Sequence, residues 1–197
     1  MTMTVALLFL LTCSLICGSI PAHAGGTTKF PGRGSVEDYN KSCRLSNQAI
    51  ELAKRGDYVG AVRLDREAIV IYPHSAATYH NLGNHLEKLG KLDEAVKEQQ
   101  RAIDKAPDML AAWLALGFEF EMQHKFKDAE RCYRKSVRLS QFDYGALGCL
   151  GDILRKQRKF EEARFWLLKA KASPGSAASP GEIEKKLAQC DRKDASD

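Results

Sequence analysis

Residues 110–143 read LAAWLALGFEFEMQHKFKDAERCYRKSVRLSQFD, and this stretch decides the fold. Trp113, Leu116, Gly117 and Phe120 follow one another at i, i+3, i+4 and i+7, which puts them on one stripe of a helix. Ala129, Tyr133 and Ser136 form a second stripe at i, i+4 and i+7. Between the two runs lies Gln123-His-Lys-Phe126, a short turn with one apolar plug. Two helices joined in this way make an αα-hairpin that cannot bury its apolar faces alone. Something of the same shape must stack against it.

The neighbouring sequence supplies that partner. Windows 42–75, 76–109 and 144–177 repeat the pattern of 110–143 in register, with a period of 34 residues. Position 4 holds Leu45, Tyr79, Trp113 and Leu147. Position 7 holds Gln48, Leu82, Leu116 and Leu150, and position 11 holds Leu52, Leu86, Phe120 and Leu154. Position 8 is always small (Ala49, Gly83, Gly117, Gly151), and position 20 is always alanine (Ala61, Ala95, Ala129, Ala163). Position 27 is Ala68, Ala102, Ser136 and Ala170. A small residue at position 8 facing the alanine at position 20 would let the two helices of a hairpin approach closely, with larger side chains filling the space beside them. Asp65 and Gln99 stand at position 24, where Tyr133 sits in the third window, Gln48 stands in place of leucine at position 7 and Gln141 in place of the closing proline; these departures bear on the packing of the first window and on the junction of the third and fourth, not on the fold. The fold expected is all-α, a right-handed superhelix of about four stacked antiparallel hairpins.

Start signals fit this register. Ser35 with Asp38, Ser75, Asp108 and Asp143 stand where first helices need N-caps. Ser179-Pro-Gly-Glu182 offers an N-cap, a proline at N1 and an acid at N3, predicting a helix over about 180–190. Ile183 and Leu187 would face inward there, so 178–197 reads as a capping helix and tail. Residues 25–41, with four glycines and one proline, read as a flexible leader that joins the first helix near Val36.

The first 28 residues carry no Lys, Arg, Asp or Glu, and an apolar stretch spans 5–20. Ala22 and Ala24 suit a signal-peptide cleavage site, so 1–24 reads as a signal removed before Gly25, and the mature chain as exported to the periplasm or secreted. The absence of Lys or Arg before the apolar stretch leaves an uncleaved membrane anchor as the alternative; after cleavage no span remains. Cys43, Cys132, Cys149 and Cys190 stay in the mature chain, widely spaced and without a CxxC, so disulfides are possible but no framework is dictated. The 44% hydrophobic and 28% charged composition suits a globular chain, and the net charge of +5 is spread along it without the basic block of a nucleic-acid arm.

On these residues the chain resembles the tetratricopeptide repeat family, whose pattern is W-x₂-L-G-x₂-Y…A-x₃-F…P. Trp113, Leu116, Gly117, Phe120, Ala129 and Tyr133 come closest, and the resemblance covers 42–177. It implies a scaffold that holds a protein or peptide partner on its concave face, at first-helix positions 2, 5, 9, 12 and 13. Read onto this chain, the groove residues are His80, Asn84, Lys88, Leu114, Phe118, Met122, Asp152, Arg155 and Lys156. Phe120 already fills the core position, so Phe118 should point away from the core and form an apolar strip with Leu114 and Met122. Some members of the family clamp a C-terminal carboxylate with Lys, Asn and Arg. Here Ser46 and Ile50 replace the first pair, and Gly145 and Cys149 stand where later basic groups would be, so that clamp is not implied.

No nucleophile–base set, phosphate loop or HExxH motif occurs, and His74, His80 and His85 lack the four-residue spacing of a helical metal pair. The expectation is a binding protein rather than an enzyme, with no cofactor, and with self-association as a second possibility.

Overall fold

Ser35 opens the first helix with a complete capping box. Its Oγ accepts from the Asp38 N–H at 3.0 Å, and its own N–H donates to Asp38 Oδ2 at 3.1 Å. From there the computed structural model describes residues 35–174 and 181–194, with nine α-helices and no strand among the described residues. They run α1 Val36–Lys54, α2 Tyr58–Ile71, α3 Ala76–Lys88, α4 Leu92–Lys105, α5 Leu110–Met122, α6 Phe126–Leu139, α7 Tyr144–Lys156, α8 Phe160–Ala172 and α9 Glu182–Asp194. Within the segment read as leader, residues 36–41 are therefore the first turns of α1. The signal reading of 1–24 and residues 25–34 of the leader lie outside the described residues.

Each of the four hairpins pairs an odd-numbered helix with the even-numbered one after it, and each even helix then receives the next odd one. This produces a superhelix of stacked antiparallel hairpins. The turn inside every hairpin needs one left-handed residue at position 15. Gly56 (φ 86°) and Gly90 (φ 74°) supply it in the first two, whereas His124 (φ 58°) and Arg158 (φ 65°) adopt it in the last two.

Position 4 provides a latch between windows. Trp113 Nε1 donates to the Pro107 carbonyl at 2.9 Å, and the Tyr79 hydroxyl donates to the Pro73 carbonyl at 3.4 Å. Both prolines close the preceding window, so an aromatic with a polar tip ties each connection to the hairpin that follows.

Three details differ from the sequence expectation. The small residues at position 8 face position 24 rather than chiefly position 20. A Cβ on Gly83 would come within 2.6 Å of the Gln99 amide, one on Gly117 within 2.5 Å of the Tyr133 ring, and one on Gly151 within 2.7 Å of Leu167. At Gly151 the position-20 residue, Ala163, is also among the nearest, through its carbonyl oxygen at 3.2 Å. Side-chain bulk at position 24 is what an added methyl group would meet first. Second, Asp108 does not cap α5. The cap falls at position 34, which is Ser75, Met109 and Asp143. Ser75 accepts from Thr78 N–H and Asp143 from Ala146 N–H, but Met109 has no side-chain oxygen to offer. Third, α9 begins later than 180. Gly181 stands before it at φ 96°, its N–H donating to Glu184 Oε2 at 2.9 Å, so Glu184 rather than Glu182 takes the N3 role. Ser179 and Pro180 lie outside the described residues.

The capping role of α9 follows from its packing. Ile183 and Cys190 are buried and Leu187 half-buried, all in one cluster with Leu147, Leu150, Leu154 and Leu167. The helix packs chiefly on α8 and touches α7, as each first helix does on the hairpin before it.

Candidate functional site in the groove of the first helices

Helices α1, α3, α5 and α7 carry the positions assigned to the concave face, and the predicted residues fall into three groups along them. The first is a polar floor on α3. His80 Nδ1–H donates to Gln99 Oε1 at 2.8 Å, and His80 Nε2 accepts from Asn84 Nδ2 at 3.1 Å. Gln99 Nε2 returns to Asn84 Oδ1 at 3.0 Å and to the His80 carbonyl at 3.3 Å. This closed set fixes the imidazole tautomer. Burial pushes the His80 pKa below its ordinary value against the pull of the Gln99 bond, so the ring is neutral around pH 7. Lys88, one turn beyond Asn84, is exposed and reaches the neighbouring Glu87 at 3.3 Å.

The second group is the apolar strip on α5. Phe118 is 42% exposed and Met122 is 52% exposed, both large side chains turned to solvent. Leu114 differs: it is half-buried and packs against the C-terminal core cluster. The strip is therefore two open residues with a buried root.

The third group is a charge network on α7. Arg155 donates to Asp152 Oδ1 through Nε at 2.9 Å and Nη2 at 2.7 Å. Lys156 donates to Glu121 Oε1 and lies 3.4 Å from Asp152 Oδ2, and Lys186 of α9 approaches that same oxygen at 3.9 Å. Burial works against the Asp152 charge, but the Arg155 bond and the two lysines hold its pKa below the usual range. Lys156 is likewise opposed by burial, and Glu121 and Asp152 raise its pKa above the ordinary value. The predicted basic residues thus already have acidic partners within the fold, so a ligand anion would have to compete with Asp152 and Glu121 for them.

Two features were not foreseen. Asp65 is buried at position 24 of the first window, and its oxygens are served by Ser46 Oγ at 3.2 Å and His85 Nδ1 at 2.8 Å. Asn81 donates in turn to Ser46 Oγ at 3.2 Å. Burial still raises the Asp65 pKa in spite of these bonds. The second feature is Glu119. It is 1% exposed, and neither carboxylate oxygen has a hydrogen-bond partner. Burial pushes its pKa up to about 8; the nearby Gln99 amide favours its charged form, and Glu87 opposes it. The available signal was the carboxylate itself at position 10, where the next window has Ile153.

The histidines are each accounted for locally: His80 by Gln99, His85 by Asp65, and His74 by an edge contact to Tyr72 at 5.6 Å between ring centres. None of Cys43, Cys132, Cys149 and Cys190 is in a disulfide. Burial raises the Cys132 thiol to about 12 and Cys149 to about 11, so neither offers a reactive thiolate at neutral pH. No helix among the described residues is long and apolar enough to cross a membrane.

Comparison with known proteins agrees with this architecture. Tetratricopeptide repeat profiles match residues 74–141 and 120–177. Among solved structures, the first TPR of Spaghetti (RPAP3) bound to the HSP90 peptide SRMEEVD has a TM-score of 0.59 at 18% identity, over 60% of this chain and 94% of that one. The second TPR domain of human RPAP3 in complex with the HSP70 peptide SGPTIEEVD gives 0.57 at 19% identity, over 59% and 97%. MamA AMB-1 gives 0.65 at 20% identity, over 79% of this chain and 84% of that one. No curated protein sequence matches the chain.

Proposed function

Because the chain belongs to the tetratricopeptide repeat family, we propose that it is a scaffold that holds a peptide segment of a partner protein in the groove lined by α1, α3, α5 and α7. The observation that carries this reading is the exposure of Phe118 and Met122 side by side on α5, while the other large apolar residues of the first helices are buried or half-buried. Structural neighbours with the same fold are described with HSP90 and HSP70 peptides bound, which supports peptide capture as the mode. The uncharged apolar stretch 5–20, followed by Ala22 and Ala24, supports a site of action in the cell envelope or outside the cell, where such a scaffold would assist assembly of a complex.

The test is affinity capture from envelope extract with the intact chain beside a Phe118→Glu variant of equal helicity. A protein retained by the first and lost by the second supports the groove. Equal retention moves the binding face elsewhere. A second reading, a self-associating subunit, is favoured by Phe165 and Leu168, which are exposed together on α8 beside Lys169, 5.1 Å from the Phe165 ring centre. A molar mass that rises with concentration would support it.

A further inference from the structure

Position 17 opens the second helix of every hairpin. It is aromatic in three of them, Tyr58, Phe126 and Phe160, and a leucine, Leu92, in the second hairpin. Where the ring is present its surroundings are filled. Phe126 packs against the C-terminal core, the His124 ring stands 5.8 Å from its own, and Gln157 of the next first helix donates to the Phe126 carbonyl at 3.1 Å. Where the ring is missing, the same place is open. A cavity of about 420 Å³ lies between the turn of residues 90–94 and Gln123 of α5, with Leu92 in its lining. Gln123 is the counterpart of Gln157, but it donates to Asp93 Oδ1 at 3.1 Å. The volume falls in the roughly 300–1,000 Å³ range of pockets that take ligand groups. The rim is charged but balanced. Glu94 is held by Arg66 at 2.8 Å and lies 3.6 Å from Lys91, and Asp93 accepts from the Gln123 amide. Two bases stand beside two acids, so no charge is left over that calls for an ionic ligand.

We propose that this cavity receives one aromatic side chain, a phenylalanine or a tyrosine, of the peptide held along α5. The ring seats on Leu92 and takes the place that Phe126 and Phe160 fill from within their own hairpins. This rests on the groove reading above and adds the residue class that the partner carries. Gln123 directly follows Met122, so the cavity adjoins the end of the exposed strip of Phe118 and Met122, and one peptide can engage both. A flat ring suits the space: an apolar cavity of roughly 150 Å³ already admits benzene. An aromatic side chain also buries a large area while fixing only two side-chain torsions. The polar rim at Asp93 and Glu94 accepts a phenol hydroxyl, so tyrosine is tolerated as well as phenylalanine.

The experiment uses the full chain and four pools of capped nonapeptides, randomised except for a central Phe, Tyr, Leu or Lys. The two aromatic pools are expected to be retained about fivefold better than the leucine and lysine pools, the difference one well-seated ring makes. Leu92→Phe closes the cavity from within, as the third and fourth hairpins do. It should abolish the aromatic preference while keeping retention of the leucine pool, and its urea midpoint should be no lower than wild type. Phe118→Glu, by contrast, should lower retention of every pool. A peptide selected from the phenylalanine pool and remade with a benzophenone on its central ring should cross-link, on irradiation, to residues 90–94 or 123 of the wild-type chain. That reading decides the matter if Leu92→Phe loses helicity. Equal retention of aromatic and leucine pools, a preference for lysine, an aromatic preference that survives in folded Leu92→Phe, or cross-links confined to other segments overturns the aromatic pocket while leaving the groove standing. Retention of no pool removes the groove reading, and the pocket with it.

Discussion

The two halves of the array solve the same packing problem with different chemistry. Position 24 of one hairpin meets position 10 of the next. In the first half these pairs are polar: Asp65 with His85 at 2.8 Å, and Gln99 with Glu119. In the second half the same places hold Tyr133 and Ile153, fully buried in one apolar cluster that runs on through Leu167 to α9. The first half has only small clusters, such as Val62, Leu82, Leu86 and Ala95. Backbone geometry is common to both halves because the small residues at positions 8, 20 and 27 are common to both. The junction pair is therefore free to vary, and here it divides the molecule into a pH-responsive part beside the groove floor and an inert part that anchors it.

The sharpest way to break that contrast is pH. The folded-state pKa of Glu119 is raised above its unfolded value, so its contribution is fully favourable only below about pH 4.5 and is lost as pH rises toward 8. The wild-type chain should lose up to about 4 kcal/mol of stability between pH 5 and pH 8 through this group, at about 1.4 kcal/mol per unit. His80, whose pKa is lowered, acts in the opposite sense below its ordinary value near 6.5, so the decline is clearest above pH 7. Glu119→Gln should flatten the urea-derived stability curve above pH 7. A variant curve parallel to wild type would show that Glu119 is not the titrating group.

Next in size is the apolar half. Leu167→Ala leaves a cavity against Gly151 and should cost about 3 kcal/mol, independent of pH, measured as a lower urea midpoint. The junctions can then be interchanged. His85→Ile alone strands Asp65 with Ser46 as its remaining partner and should cost about 2 kcal/mol. Adding Asp65→Tyr recreates the pair found between Tyr133 and Ile153 and should recover most of the loss. A double variant no better than the single one would mean that the halves differ in backbone as well as side chain. A smaller gain is expected from His124→Gly, which frees a left-handed turn residue: about 1 kcal/mol in thermal unfolding, toward the behaviour of Gly56 and Gly90. Phe118→Ser should change stability by no more than about 0.5 kcal/mol, because the ring is exposed.

The hairpin array was legible because its period is written in small residues, glycine or alanine at position 8 and alanine at position 20 in every window. Gly83, Gly117 and Gly151 leave no room for a methyl group. The junction chemistry was not legible for a related reason. Asp65 and Gln99 read as departures when each is compared with Tyr133 at the same position, because Asp65 finds His85 twenty residues downstream in the next window and Gln99 finds His80 and Asn84 on the first helix of its own hairpin. A frame that compares like positions cannot show a bond between unlike ones. Phe118 and Met122 were visible as surplus apolar residues on a helix whose core stripe was already filled. The half-burial of Leu114, beside two more open neighbours, was not legible because it depends on the C-terminal cluster and not on its own helix. Arg155 and Lys156 were correctly placed on a first helix, and Asp152 stands at the i−3 and i−4 spacing that pairs with them, but the bond from Lys156 to Glu121 in the preceding window could not be read from spacing.

Helix α9 has a consequence for how such a chain can change its length over generations. It occupies the berth that a fifth hairpin would use, sealed there by Ile183, Leu187 and Cys190. A duplicated 34-residue block appended after α9 would meet a polar surface and find no place to dock. Lengthening by duplication must therefore act upstream of α9, between hairpins whose facing positions 24 and 10 match. The polar junctions make that choice narrow, because a copied block must carry the right half of each pair.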